Sequence, residues 1–111
     1  MMHNITTVGE ELIDFPPTIK RTSNYIAIPC IYRIKDADDV ITLGEFIFTV
    51  DYLNWKTDKY ELWKSWKIVK DPTWQDALDA AQQFLNATND IHHYLDDVEV
   101  VGQYIVLNMG S

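Results

Sequence analysis

The stretch 71–89 constrains the fold more than any other part of the chain. Trp74, Ala77, Leu78, Ala81, Leu85 and Thr88 recur at i, i+3, i+4 and i+7, the spacing that gathers apolar side chains on one stripe of an α-helix. Gln75, Asp76, Asp79, Gln82, Gln83 and Asn86 fall on the other side. Asp71-Pro72-Thr73 supplies a start, because Asp and Thr oxygens cap free amides and proline is tolerated in the first turn. Asn89-Asp90 supplies a stop. The spacing predicts one amphipathic helix over 73–88, whose apolar stripe must be buried against a second layer.

That layer is expected to be a sheet. Over 25–35, Ile26, Ile28, Cys30, Tyr32 and Ile34 occupy every second position, the period of a strand with one buried face. Pro29 lies on the opposite face and cannot donate to a ladder, which favours an edge or a bulge. Asp36-Ala37-Asp38-Asp39 reads as a turn, because Asp side chains accept from nearby backbone amides. The run 40–50 then puts Phe46, Phe48 and Val50 on one face and Ile41, Leu43 and Ile47 on the other. These two runs are expected to pair as a β-hairpin, with Gly44 marking a bulge.

Between hairpin and helix the pattern is ambiguous. Tyr60, Leu62, Trp66 and Ile68 alternate as a strand would, yet Leu62, Trp63, Trp66 and Val69 also share one helical arc. The strong helix start that follows favours a strand over 59–69. After the helix, a short helical turn is expected over 91–95. A final strand is expected over 98–107, where apolar side chains on both faces suit an interior position. Residues 1–23 read as largely irregular, with Phe15-Pro16-Pro17 extended and room for a short strand over 5–8. The expected architecture is one α+β domain over 1–111: a mostly antiparallel sheet of hairpin, third strand and final strand, with the helix packed on one face.

Composition fits a packed domain that needs neither metal nor disulfide. Of 111 residues 47% are hydrophobic, with four Trp, six Tyr and four Phe, too apolar a mix for a disordered segment. Cys30 is the single cysteine. It reads as a buried, inert thiol, and a reducing cytoplasm is the expected compartment. No basic and apolar leader opens the chain, and no apolar run approaches the roughly 18 residues of a membrane span, so neither secretion nor membrane insertion is expected.

Charge is distributed unevenly around a net −8. Residues 1–19 carry three acids and no base; 20–70 carry all nine Lys and Arg against seven acids; 71–111 carry seven acids and no base. Such a field disfavours nonspecific binding to nucleic acid or anionic lipid and steers toward basic partners.

Candidate chemistry is sparse. If 91–95 were helical, His92 with Asp96 and His93 with Asp97 would form i, i+4 pairs, the way a helix presents two metal ligands. The pairs point in different directions and spacing implies no third ligand, so a solvated loop is expected and no metal or other cofactor is assigned. Cys30 has no motif around it, no serine sits in a Gly-x-Ser-x-Gly elbow, and four glycines cannot supply a phosphate cradle. The pairs Asp38-Asp39 and Asp96-Asp97 read as turn chemistry. No catalytic residue is assigned.

Two surfaces remain as binding candidates. The first is acidic: Asp76, Asp79, Asp90, Asp96, Asp97 and Glu99 are expected to face a basic protein, on a monomer or small homo-oligomer. By class analogy this suits inhibitors of nucleases or other nucleic-acid-binding proteins, of the immunity or phage anti-defence kind, in which carboxylates occupy a site made for phosphates. The second is the repeated dipeptide Trp55-Lys56, Trp63-Lys64 and Trp66-Lys67, which could stack bases or sugar rings and contact phosphates. Trp63 and Trp66 have opposite strand parity, so at least one is expected in the core. Exposed strand edges would also allow a structural subunit of a larger assembly.

Overall fold

A computed structural model of the chain describes residues 4–8, 11–15, 27–29 and 36–110. Helix α1 spans Trp74–Thr88, and every amide of its first turn has an acceptor. Trp74 and Gln75 donate to the Asp39 and Ala37 carbonyls at 3.1 and 2.9 Å, and Ala77 donates to the Thr73 carbonyl at 3.1 Å. Thr73 and Asp76 form a capping box, Asp76 N–H to Thr73 Oγ1 at 3.3 Å and Thr73 N–H to Asp76 Oδ2 at 2.9 Å. Asn89 closes the helix in the left-handed region at φ 56°, its N–H bound to the Leu85 carbonyl at 2.9 Å. Asp71, also left-handed at φ 47°, clamps Gly44 instead of capping: its N–H donates to the Gly44 carbonyl at 2.7 Å, and its Oδ1 accepts the Gly44 N–H at 2.8 Å.

The expected stripe is buried at Ala77, Leu78, Ala81 and Leu85, but the buried arc is wider and includes Ala80, Phe84 and Gln82. Gln82, expected on the polar side, is buried because its amide has fixed partners. Its Oε1 accepts the Ala27 N–H at 2.9 Å, and its Nε2 donates to Asn86 Oδ1 at 2.9 Å.

Among the described residues eight strands accompany the helix: β1 (Asn4–Val8), β2 (Glu11–Phe15), β3 (Ile28–Pro29), β4 (Glu45–Asn54), β5 (Lys59–Lys64), β6 (Val69–Lys70), β7 (Tyr94–Val101) and β8 (Tyr104–Gly110). β1 and β2 form an antiparallel pair of their own, so much of the segment expected to be irregular is strand. The other six form one sheet in the order β3-β7-β8-β4-β5, with β6 on β4. Its β4–β5, β4–β6 and β7–β8 pairings are antiparallel; β4–β8 and the two-residue β3–β7 are parallel. The architecture is α+β, one helix against a mostly antiparallel sheet.

Four local expectations change. The hairpin partner of β4 is β5, while Ile28–Pro29 runs parallel to β7; residues 30–35, with Cys30, lie outside the described residues. Alternation marks a strand without naming its neighbour. The strand expected over 59–69 leaves the ladder after Lys64, where Ser65 bonds Phe48 through both its N–H and its Oγ, and rejoins as β6. The run 98–107 is two strands, because Gly102 at φ 58° turns the chain between β7 and β8, and Tyr94 begins β7 where a helical turn was expected.

Phe46, Phe48 and Val50 of β4, Ile105 and Leu107 of β8 and Leu95 of β7 form the core with α1. Phe48 pairs with Ile105 and Val50 with Trp63, so these residues share the helix-covered face. Trp63 and Tyr52 meet Phe84 edge to face at 5.9 and 5.3 Å. Residues one step out of phase, including Leu62, Lys64, Tyr104 and Glu99, project from the opposite face. Among the described residues no helix is long and apolar enough to cross a membrane.

Candidate functional site

The fold separates the three Trp-Lys pairs. In the turn after β4, Asn54 fixes the backbone by accepting the Lys56 N–H at 2.9 Å and the Asp58 N–H at 2.8 Å, through its side chain and carbonyl respectively. This turn leaves Trp55 67% exposed. Trp63 turns inward onto Phe84, while Lys64 points outward, its Nζ 5.3 Å from the centre of the Tyr104 ring. Trp66 lies where the chain has left the ladder and is 95% exposed. Lys67 lines a cleft of about 140 Å³ with Ser65, Val69, Asp76, Asp79 and Gln83. Tyr60, 82% exposed, and Leu62 add apolar surface on the open side of β5.

The six candidate carboxylates do not form one patch. Asp76 is committed to the capping box, and Asp79 Oδ1 accepts from Gln75 Nε2 at 2.9 Å. Both belong to α1, whereas Glu99 and Asp97 project from the sheet face that the helix leaves open. Asp97 Oδ1 accepts the Val98 N–H at 2.8 Å; Asp96 and Glu99 are exposed. Asp90, expected at the surface, is buried, with its side chain 3% exposed. Its Oδ1 accepts the His92 N–H at 2.8 Å and lies 2.5 Å from His92 Nδ1. The i, i+4 pairs of His92 with Asp96 and His93 with Asp97 do not form, because the segment is not helical. Among the described residues no group of three His, Cys, Asp or Glu side chains could hold a metal ion.

A second cleft, of about 300 Å³, lies where the β4–β5 turn meets the end of α1, between residues 52–56 and 87–90. Tyr52 Oη donates to Glu61 Oε2 at 3.2 Å, and Asn54 Nδ2 donates to the same oxygen at 2.6 Å. Burial first, then the bond to Glu61 and the charges of Glu61 and Asp90, hold the Tyr52 phenol above the ordinary tyrosine value of 10.0. Nothing in the linear pattern announces this cleft, because its walls come from separate elements. The sequence marks Trp55-Lys56 on one wall and Asn89-Asp90 on the other as separate signals, and does not place them together.

No family model matches the chain, and no curated protein and no solved structure matches it.

Proposed function

We propose that this chain is a non-enzymatic protein-binding module that engages a basic partner. The observation that carries the reading is the exposure of large apolar side chains, Trp66, Tyr60, Trp55, Ile68 and Leu62, on a chain of net charge −8. Tyr and Trp dominate binding energy at protein interfaces, and exposed apolar patches mark such sites. The acidic field steers toward a positively charged partner and away from nucleic acid and anionic lipid. Exposed Asp96 and Glu99 supply that field on β7, and an inhibitor of a nuclease or other nucleic-acid-binding protein is the form that best fits it. The second reading, a single-stranded nucleic-acid or oligosaccharide binder, is favoured by Trp66 standing exposed beside Lys67 and by Lys64 over Tyr104.

Affinity capture from the native host, followed by variant binding, tests the two. The protein-binding reading expects Trp66→Ala and the Asp96→Lys/Glu99→Lys pair to weaken capture, and Lys64→Glu/Lys67→Glu to leave it unchanged or improve it. Capture that survives the acidic reversals but fails on the lysine reversals, together with single-stranded DNA binding that falls steeply with salt, would replace it with the second reading.

A further inference from the structure

We infer that the 300 Å³ cleft at the C-terminal end of α1 receives the guanidinium group of an arginine side chain presented by a protein partner. The inference rests on the basic-partner reading and gives it an anchor point. Three independent features of the cleft call for a cation. First, α1 ends at Thr88, so the carbonyls of Ala87 and Thr88, two of the residues that line the cleft, have no intrahelical donor. These carbonyls carry the negative end of the helix dipole, and no basic residue lies in the last turn to answer it.

Second, Asp90 lines the cleft with its side chain 3% exposed. Its Oδ1 is engaged by His92, but its Oδ2 has no hydrogen-bond donor among the described residues. A buried carboxylate oxygen left without a donor is costly, and a partner that supplies the donor recovers that cost on binding. Third, Trp55 stands at the rim, 67% exposed, held there by the Asn54-centred turn. An exposed indole face attracts a cation.

Arginine fits these features better than lysine. Its planar guanidinium stacks on an indole face while its fork of donors reaches several acceptors at once, and it gives up water more readily than an ammonium. Lys56, also lining the cleft, carries the same charge as the ligand, so it limits affinity, and its removal should tighten binding.

The test titrates the isotope-labelled full chain with an acetylated, amidated tri-arginine peptide, reading the Trp55 indole and the backbone amides of 87–90 by NMR. The tri-citrulline peptide, neutral and of the same shape, and tri-lysine serve as comparisons. The expected result is saturable shifts at those resonances with tri-arginine, weaker ones with tri-lysine and none with tri-citrulline. Trp55→Ala, on an exposed side chain, should weaken binding at least about fivefold. Ala87→Lys, which tethers an ammonium in the cleft, should abolish it, and Lys56→Ala should strengthen it. Asp90→Asn should also weaken it; Trp55→Ala and Ala87→Lys keep the test decisive if that variant folds poorly. Tri-arginine that binds without moving these resonances, or binds Trp55→Ala and Ala87→Lys unchanged, refutes the cleft while leaving the basic-partner reading in place. Tri-arginine that does not bind at all also refutes the cleft, and capture from the host then decides the broader reading alone.

Discussion

Gln82 on α1 accepts the backbone N–H of Ala27 through its Oε1 at 2.9 Å, joining positions 55 residues apart. The bond fastens the chain next to β3 onto the helix and gives a buried amide its acceptor. A buried donor left without a partner costs about 1–3 kcal/mol. Gln82→Ala should therefore destabilise by about that amount, whereas Gln83→Ala, one residue on and exposed, should change stability by under about 0.5 kcal/mol. Urea unfolding of the two variants makes the comparison; equal effects would refute the anchoring role of Gln82.

Leu78→Ala and Leu85→Ala should each cost about 2–5 kcal/mol, because both side chains are fully enclosed between α1 and the sheet. The same unfolding experiment checks this. Losses below about 1 kcal/mol would mean that the helix does not seat this face on the core.

Trp63 and Trp66 should behave in opposite ways. Trp63→Ala removes an edge-to-face contact with Phe84 and should destabilise by at least about 1 kcal/mol. Trp66→Ala removes a side chain that is 95% exposed and should leave stability within about 0.5 kcal/mol. A large stability loss at Trp66 would remove it from the candidate binding surface and assign it to the fold.

Gly102 and Gly44 should differ in their tolerance of a side chain. Gly102 sits at φ 58°, and beyond its chain neighbours no atom lies within 4 Å of where a Cβ would stand. Gly102→Ala therefore meets only the left-handed cost of about 1–2 kcal/mol, and Gly102→Asn less. Gly44 sits at φ 119°, where the Phe46 ring would also lie 3.2 Å from the added carbon. Gly44→Ala should therefore lower the melting temperature more than Gly102→Ala; the reverse order would contradict the clamp between Gly44 and Asp71.

The Tyr52 phenol should titrate above 10.0 in the folded protein. Unfolded chains then lose this proton first, so the contribution of Tyr52 to stability is complete below pH 10.0 and declines as pH rises through the folded value. Ultraviolet titration of wild type against Tyr52→Phe isolates the one phenol among six tyrosines. Ionisation at or below 10.0 would mean that neither its burial nor its bond to Glu61 persists in solution.

Local physics determined the helix caps and the turn at Asp36. Thr73, Asp76 and Asn89 cap α1 through atoms within four residues of their partners, and Asp36 makes its turn by accepting the Asp38 N–H at 2.9 Å. Short-range geometry of that kind is written in neighbouring residue types. The inward Phe46, Phe48 and Val50 were legible for the same reason, since a period of two needs only one strand. Tertiary structure decided most of the rest. Which strand lies beside β4 and the burial of Gln82 and Asp90 each depend on a partner from another segment, whereas the turn at Gly102 is local and was hidden by the nearly continuous apolar run on either side of it. The cleft followed the same rule: Trp55 and Asp90 share no local signal, and only the packing of the β4–β5 turn against the end of α1 brings an indole and a buried carboxylate to one place.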